Sequence, residues 1–260
     1  MNDSCRLCGS SNRKRVKSHI APAFLFREVK RRGNGLLIIS RDGREKIRSS
    51  KDGPKDHKIL CNSCEENTQW IDGDASKAFL GKKYKIIKCY SNRQEIIGYS
   101  KEIDPVIVKR FAAFSILKAS WSNNSLYSKF KIEPNLESRL LPYLQKEIPI
   151  DRGIIFFLFY RQPTYKDLPN SPEVHNGRIE GDRYPFFGHP GMMVMYHFLE
   201  FTCLIFISDN PNSTFPIKQS IQNNSTLLFI RSSFLNKKLD EVALEFAQDR
   251  LRSEHSPAIA

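Results

Sequence analysis

Apolar residues follow two different spacings along this chain, and together they predict both helices and strands. Residues 106–121 mix large apolar residues with small ones, as a packed helix does, and Asp104 and Pro105 before them supply an N-cap and a first-turn proline. Continuous apolar runs predict buried strands at residues 153–160 and 226–231, with one long strand or two consecutive strands at 192–208. Helices that flank a few apolar strands indicate an α+β fold.

Other segments of the chain carry weaker patterns. A second helix is predicted at residues 135–147, where a proline opposes it, and a final amphipathic helix is predicted at 239–252. Residues 162–190 are polar and rich in proline and glycine, which predicts a loop. Residues 31–54 combine a short apolar run with glycine and charged residues, which predicts a hairpin.

Positive charge is concentrated near the N-terminus. The 260 residues are enough for two domains, and we expect a small N-terminal module at residues 1–75 and a larger α+β domain at 76–260. The net charge is +13, and residues 1–60 hold 16 lysines and arginines against six acidic residues. This predicts an anionic partner for the N-terminal module, with nucleic acid as the first candidate. The alternative is a solvated basic surface that only aids solubility.

Four of the six cysteines form two Cys-x-x-Cys pairs, Cys5 with Cys8 and Cys61 with Cys64. Each pair brings two thiolates to one ion, and two pairs complete the tetrahedral shell that structural zinc prefers. A shell of four cysteines is closed, so we expect this zinc to hold the fold rather than to perform chemistry. The remaining Cys89 and Cys203 lie in apolar surroundings and are interpreted as small core residues.

The start of the chain has no signal-peptide pattern, and no apolar stretch is long enough to cross a membrane. We therefore expect a cytoplasmic protein without a membrane partner. In a reducing compartment, paired cysteines indicate metal binding rather than disulfides.

Between the two cysteine pairs stand Ser18, His19, Ile20, Ala21 and Pro22. The arrangement resembles the HNH (ββα-metal) nucleases that carry a four-cysteine zinc, in which the first pair leads into a strand with His, an apolar residue and Pro. It is also similar to a group of uncharacterised bacterial proteins that combine a Ser-His-Ile-x-Pro motif with a Cys-x-x-Cys-Glu pair. The resemblance covers residues 1–70 and implies a zinc-bound treble-clef module, followed here by the larger α+β domain.

The resemblance also implies roles for individual residues. His19 matches the family's general base, which activates water to attack a phosphodiester. Ser18 stands where the family usually has an acidic or histidine ligand. Asp56, with His57 beside it, and Glu65 are candidates to bind a catalytic Mg²⁺ or Mn²⁺ ion or to orient His19. Basic residues nearby would hold phosphates, and they are Lys14, Arg15, Lys17, Arg27, Lys30, Arg31 and Arg32.

Three functions follow as hypotheses. The first is metal-dependent cleavage of nucleic acid, with DNA as the expected substrate. By analogy with bacterial nuclease-like proteins of this size, it includes a role in antiphage defence with a partner protein of a defence complex. The second, favoured by Ser18 in place of an acidic ligand, is a non-catalytic DNA- or RNA-binding subunit. The third is a protein-interaction adaptor in which zinc only folds the N-terminus.

Overall fold

The computed structural model of the chain contains both helices and strands, as an α+β fold requires. It describes residues 4–31, 37–38, 48–49, 53–80, 87–91, 95–100, 103–145, 153–160, 178–183, 185, 189–199, 201–213 and 227–231. The elements in chain order are β1 (Ser18–His19), α1 (Ala23–Arg31), β2 (Leu37–Ile38), β3 (Arg48–Ser49), β4 (Lys55–Asp56), α2 (Asn62–Leu80), β5 (Ile87–Ser91), β6 (Glu95–Ser100), α3 (Pro105–Trp121), α4 (Pro134–Leu140), β7 (Ile154–Tyr160), β8 (Arg178–Arg183), β9 (Gly191–Phe198), β10 (Phe201–Ser208) and β11 (Leu227–Arg231).

The helix α3 begins as the sequence predicts. The Asp104 side chain accepts a hydrogen bond of 2.8 Å from the backbone N–H of Val106, and Pro105 fills the first helical position, where no N–H is needed. Every residue from 110 to 121 is buried, so no face of this part of the helix meets solvent. A helix that is buried all round lies at the centre of a fold.

The larger sheet has four antiparallel strands in the order β7, β10, β9, β8. The strands β9 and β10 form a hairpin in which Phe198 pairs with Phe201, and Leu199 adopts a φ of 48° in its turn. All eight residues of β10 are buried, so both faces of this strand are covered, and Phe79 of α2 packs against its Phe201. A second sheet joins β11, β6 and β5 in that order, again antiparallel.

The N-terminal part of the chain forms its own small elements. The strand β1 pairs with β4 in antiparallel register, and α2 follows β4 after a short turn. The helix α1 and the hairpin of β2 with β3 lie between β1 and β4 in the sequence. Gly53 enters β4 with a φ of 82°, and a Cβ at this position would lie 2.3 Å from the ring of Phe26, so only glycine fits here.

One continuous hydrophobic core joins these elements. It runs from Cys5 and Phe24 near the N-terminus through α2 and α3 to Ile207 in β10. The ring of Phe111 contacts both Phe24 of α1 and Phe198 of β9, with centroid separations of 5.8 and 5.2 Å. The predicted boundary at residue 75 lies inside α2, and the division into two domains stays a prediction.

Several sequence predictions are corrected or refined. The loop predicted at residues 162–190 is wrong in part, because Arg178–Arg183 forms the edge strand β8. The predicted helix at 135–147 is α-helical only to Leu140 and then tightens into a 3₁₀ turn at Leu141–Leu144, where Pro142 cannot donate to an α-helical ladder. The segment at 192–208 is two strands, and the predicted strand at 226–231 and the hairpin within 31–54 are confirmed.

Besides β8, the elements α1, β4, β5 and β6 were not predicted. The helix predicted at 239–252 lies outside the described residues. Among the described helices, none combines the length and the apolar character that crossing a bilayer requires. Cys203 is fully buried in the core as predicted, and Cys89 lies in β5.

Candidate metal centre and basic surface

The four paired cysteines meet at one point. The sulfur atoms of Cys5, Cys8, Cys61 and Cys64 all lie within 4.8 Å of one another, and the Cys8 and Cys61 sulfurs are 3.8 Å apart. Zinc binds thiolate sulfur at about 2.3 Å, and a tetrahedron with that bond length has edges of about 3.8 Å. The donor set is all thiol, with four ligands and no open position, so it fits a structural zinc ion.

Backbone hydrogen bonds set the position of each cysteine pair. Gly9 adopts a φ of 72° directly after Cys8, and its N–H donates to the Cys5 carbonyl oxygen at 2.8 Å, which closes the first turn. The second pair straddles the start of α2, with Cys64 in the first turn of that helix. The Cys61 N–H donates to the Cys5 sulfur at 3.3 Å. The two pairs are therefore held together through the backbone as well as through any shared ion.

The shifted pKa values of the cysteine thiols also favour the binding of a cation at the cluster. Burial opposes ionisation of Cys5, but hydrogen bonds from the N–H groups of Cys8, Cys61 and Leu7 outweigh it and lower the pKa of the Cys5 thiol to about 6. Hydrogen bonds from Cys64 likewise overcome burial and lower the pKa of Cys61. In contrast, burial and the three neighbouring sulfurs raise the pKa of Cys64. Four thiolates in one place repel each other, and a divalent ion removes that repulsion.

Two of the residues from the HNH resemblance are in direct contact. Ser18 in β1 is fully buried, and its hydroxyl donates to Oε2 of Glu65 at 2.7 Å. Glu65 lies in the first turn of α2 directly after Cys64, where the positive end of the helix dipole favours a carboxylate. The structure therefore brings together the serine and the glutamate that stand at the two ligand positions implied by the resemblance.

His19, the proposed general base, is half-buried and lies opposite Lys55 in the pairing of β1 with β4. Its Nε2 atom is buried. Because neighbouring residues of a strand point to opposite faces, His19 and Ser18 face different sides of the small sheet. His57, the other histidine considered for this site, is exposed in the turn after β4.

Asp56 is held by a different part of the chain. Its Oδ2 atom accepts hydrogen bonds of 2.9 Å from the hydroxyl of Ser122 and from the N–H of Asn123, both just beyond the end of α3. Its Oδ1 atom accepts the N–H of Lys58 at 2.8 Å. Burial raises the pKa of Asp56, but these three donors outweigh burial, so its pKa lies below the ordinary value. Both oxygens of Asp56 thus fasten the turn after β4 to the segment after α3.

We predict that Asp56→Ala lowers the free energy of unfolding by about 1–2 kcal/mol, a figure reduced for the partial exposure of the group. Because the pKa is depressed in the folded state, this stabilisation is present above the unfolded value near 3.9 and is lost as the pH falls through the folded value. Urea denaturation at pH 7 and at acidic pH measures the effect. Asp74→Ala removes a carboxylate whose ion pair among the described residues is with the exposed Lys77, and it is the matched control. A loss of unfolding free energy no larger than that of the control would contradict the proposal that Asp56 links the turn after β4 to the segment after α3.

Most of the basic residues of the N-terminal module whose side chains the structure describes are exposed. Within the described part of the chain, no carboxylate pairs with the side chains of a set of exposed cations, Arg6, Arg13, Lys14, Lys17, Arg27 and Lys58. Arg15 differs, since its guanidinium donates to the carbonyl oxygens of Arg13 and Ser10 at 3.0 and 2.7 Å. The predicted phosphate-binding residues Lys30 and Arg31 lie in α1, where their side chains are outside the described residues, as is Arg32.

Sequence reasoning missed three contributions to this surface. Arg6 and Lys58 were not singled out, although Arg6 stands inside the first cysteine pair and Lys58 stands three residues before the second. Lys131 follows the second pair by 67 residues, and only the fold brings it near Arg6. No local motif signals such a contact.

Comparison with known proteins found no counterpart, since no protein-family model, no curated protein and no solved structure matches this chain.

Proposed function

We propose that this protein binds nucleic acid through its N-terminal module, and that the four-cysteine zinc holds the binding surface in place. The proposal depends on a set of exposed cations in the module that carries the cysteine cluster. No carboxylate of the described residues pairs with any of them. Residues 1–60 hold 16 lysines and arginines against six acidic residues, which is most of the net charge of +13. Phosphate groups are the ligands that such a surface recognises without regard to base sequence.

The arrangement of elements supports this proposal. The order β1, β4 and α2, with cysteine pairs before β1 and at the start of α2, is compatible with the treble-clef or ββα module that the HNH resemblance implies. Arg6 lies between Cys5 and Cys8, and Lys58 lies in the turn that leads into Cys61. The zinc ligands therefore fix the backbone at two of the cationic side chains.

We predict salt-dependent binding of fluorescently labelled duplex DNA, single-stranded DNA and RNA to the purified protein. The logarithm of the affinity should fall linearly with the logarithm of the NaCl concentration, because phosphate contacts release counterions. Fluorescence anisotropy between low and high salt measures the slope for each nucleic acid. The chelator-treated protein should bind more weakly at every salt concentration. Absence of binding at low salt by the zinc-loaded protein would contradict the proposal and favour a protein-interaction adaptor.

Metal-dependent cleavage is the second candidate, and one observation favours it. Glu65 and Ser18 meet at the positions where the HNH resemblance expects a metal-ligand pair, and their oxygens are 2.7 Å apart. The Glu65 carboxylate and the Ser18 hydroxyl would hold Mg²⁺ or Mn²⁺, which stabilises charge on a phosphate. His19 on the same strand would accept the proton of the attacking water.

Three observations favour nucleic-acid binding over cleavage as the proposed function. The Ser18 hydroxyl is a neutral ligand whose proton already serves Glu65, and Mg²⁺ sites usually depend on carboxylates and substrate phosphates. Asp56, the other proposed ligand, has both oxygens engaged by Ser122, Asn123 and Lys58. The Nε2 atom of His19 is buried away from solvent. The described geometry therefore offers one carboxylate for a catalytic ion.

We expect the isolated protein to nick plasmid DNA no faster with Mg²⁺ or Mn²⁺ than the His19→Ala and Glu65→Gln variants do. Gel assays of supercoiled plasmid and of labelled RNA measure this rate. Glu66→Gln is the matched control, because Glu66 is the exposed neighbour of Glu65 and, among the described residues, its carboxylate accepts a hydrogen bond from the Asn62 side chain. Cleavage that is lost in both site variants and retained in Glu66→Gln would reverse the ranking and establish the nuclease.

A further inference from the structure

Three basic residues from distant parts of the sequence surround the turn after β4, and we call them the junction patch: Arg6, Lys58 and Lys131. The Arg6 N–H donates to the carbonyl oxygen of Ile59 at 3.0 Å, which sets Arg6 beside that turn. The Lys58 N–H donates to Asp56 at 2.8 Å within the turn. On the far side of Asp56, Ser122 donates its hydroxyl to Asp56 and accepts the Nζ of Lys131 on its carbonyl oxygen at 2.7 Å.

The patch carries more positive than negative charge. The side chains of Arg6 and Lys58 are exposed, and no carboxylate of the described residues pairs with either. Asp56 is the acidic residue at the centre, and its two oxygens accept from the Ser122 hydroxyl and from the backbone N–H groups of Asn123 and Lys58, not from the side-chain charges of the patch. Burial, and after it the like charge of Arg6, lower the pKa of Lys131, while Asp56 raises it.

A structural role accounts for only one of the three cations. Lys131 donates to the carbonyl oxygens of Ser120 and Ser122 at 2.7 Å each, and a cation at the C-terminal end of α3 is stabilised by the helix dipole. The side chains of Arg6 and Lys58 are exposed, and neither makes such a contact among the described residues. The charge of Arg6 acts against that of Lys131, and an anion bound at the patch would offset this repulsion.

We propose that the junction patch binds a backbone phosphate of the nucleic acid, so that the strand contacts the N-terminal module and the segment after α3 at the same time. This inference rests on the proposed function. The patch adjoins other cations of the module, because the stretch that carries Ile59 continues into Leu60 and Asn62, which are hydrogen bonded to Val16 and Lys14. A nucleic-acid strand that follows these residues along the protein surface would pass from Lys14 and Lys17 to the patch. Arg6 lies within the first cysteine pair, so the patch depends on zinc.

The test compares the salt dependence of binding to a labelled DNA duplex for the wild type, Arg6→Gln, Lys58→Gln and the double variant. Loss of the one phosphate contact at the patch is expected to reduce the slope of log affinity against log salt by about 0.9 in the double variant, and by less in each single variant. The matched control is Lys77→Gln, which removes one positive charge from the exposed far end of α2, where Lys77 pairs with Asp74. The control should keep the wild-type slope, and the double variant should show the largest reduction.

Lys131 is tested with two substitutions, one that removes its charge and one that keeps it. The second is needed because loss of the lysine also removes hydrogen bonds at the end of α3. Lys131→Gln should reduce the slope and Lys131→Arg should keep it, with circular dichroism confirming that both fold. If the double variant and Lys131→Gln retain the wild-type slope, the junction patch is overturned while the proposed function stands. If the wild type itself shows no salt-dependent binding, the proposed function is overturned and the patch with it.

Discussion

Replacing Cys61 with serine is expected to release zinc and to unfold the N-terminal part of the chain. Cys61 is fully buried, belongs to the second cysteine pair, and has its sulfur 3.8 Å from that of Cys8 in the first pair. In small zinc modules the metal supplies an apparent binding free energy of about 10–16 kcal/mol, which is larger than the stability of most domains. Metal analysis of the purified variant should find little zinc, and circular dichroism should show lost helix. Chelation of the wild type should produce the same change.

The control for this experiment is Cys203, a buried cysteine that lies outside the four-cysteine cluster. Cys203 lies in β10, and burial in apolar surroundings raises the pKa of its thiol, as expected for a core residue rather than a ligand. Cys203→Ala should therefore retain full zinc content and lose only about 1 kcal/mol of stability. Full zinc retention by Cys61→Ser would contradict the four-cysteine site. Zinc loss from Cys203→Ala would point to a nonspecific effect of unfolding.

Truncating Phe111 to alanine should be the most damaging change in the core, at about 3–5 kcal/mol. The ring is fully buried and contacts Phe24, Phe79, Tyr196 and Phe198 at centroid separations of 5.2–5.8 Å. These neighbours belong to α1, α2 and β9, so the cavity would open where three elements meet on α3. Urea denaturation followed by circular dichroism measures the loss.

Leu126→Ala serves as the control for Phe111→Ala, because Leu126 is 37% exposed and its removal leaves no internal cavity. Its expected cost is within about 0.5 kcal/mol. Phe111→Leu should fall between the two, since leucine fills part of the space. A cost below about 1 kcal/mol for Phe111→Ala would mean that the N-terminal elements and the larger sheet do not share the core described here.

Local chemistry made the zinc centre and α3 predictable. A Cys-x-x-Cys pair limits the geometry of its own two sulfurs, and an N-cap with a following proline marks a helix start regardless of the rest of the fold. The contact of Ser18 with Glu65 was not predicted, because 47 residues separate the two. Asp56 was proposed for a catalytic ion from its place in the HNH resemblance, and its contacts with Ser122 and Asn123 were not predicted, because these partners stand far along the sequence. Sequence spacing carries no information about such pairs.

The missed elements have physical reasons of the same kind. In β8 only Ile179 is apolar and buried, and the neighbouring residues 181–183 are exposed, so an edge strand reads as a polar loop. The helix α1 follows Pro22 without an acidic residue in its first turn, and its start signal is weak. Its buried face, with Phe24 and Leu25, is recognisable only once α3 is known to cover it.

The burial of α3 on every side has a consequence for how this protein changes during evolution. Residues 4–80 cannot be transferred to an unrelated protein as an independently folding segment. Phe24 and Phe79 would then lose the Phe111 ring that they pack against. Substitutions on either side of that junction must instead be accepted in compensating pairs. The metal-binding sequence and the strands that follow α3 should therefore be inherited together, with diversification confined to the exposed residues.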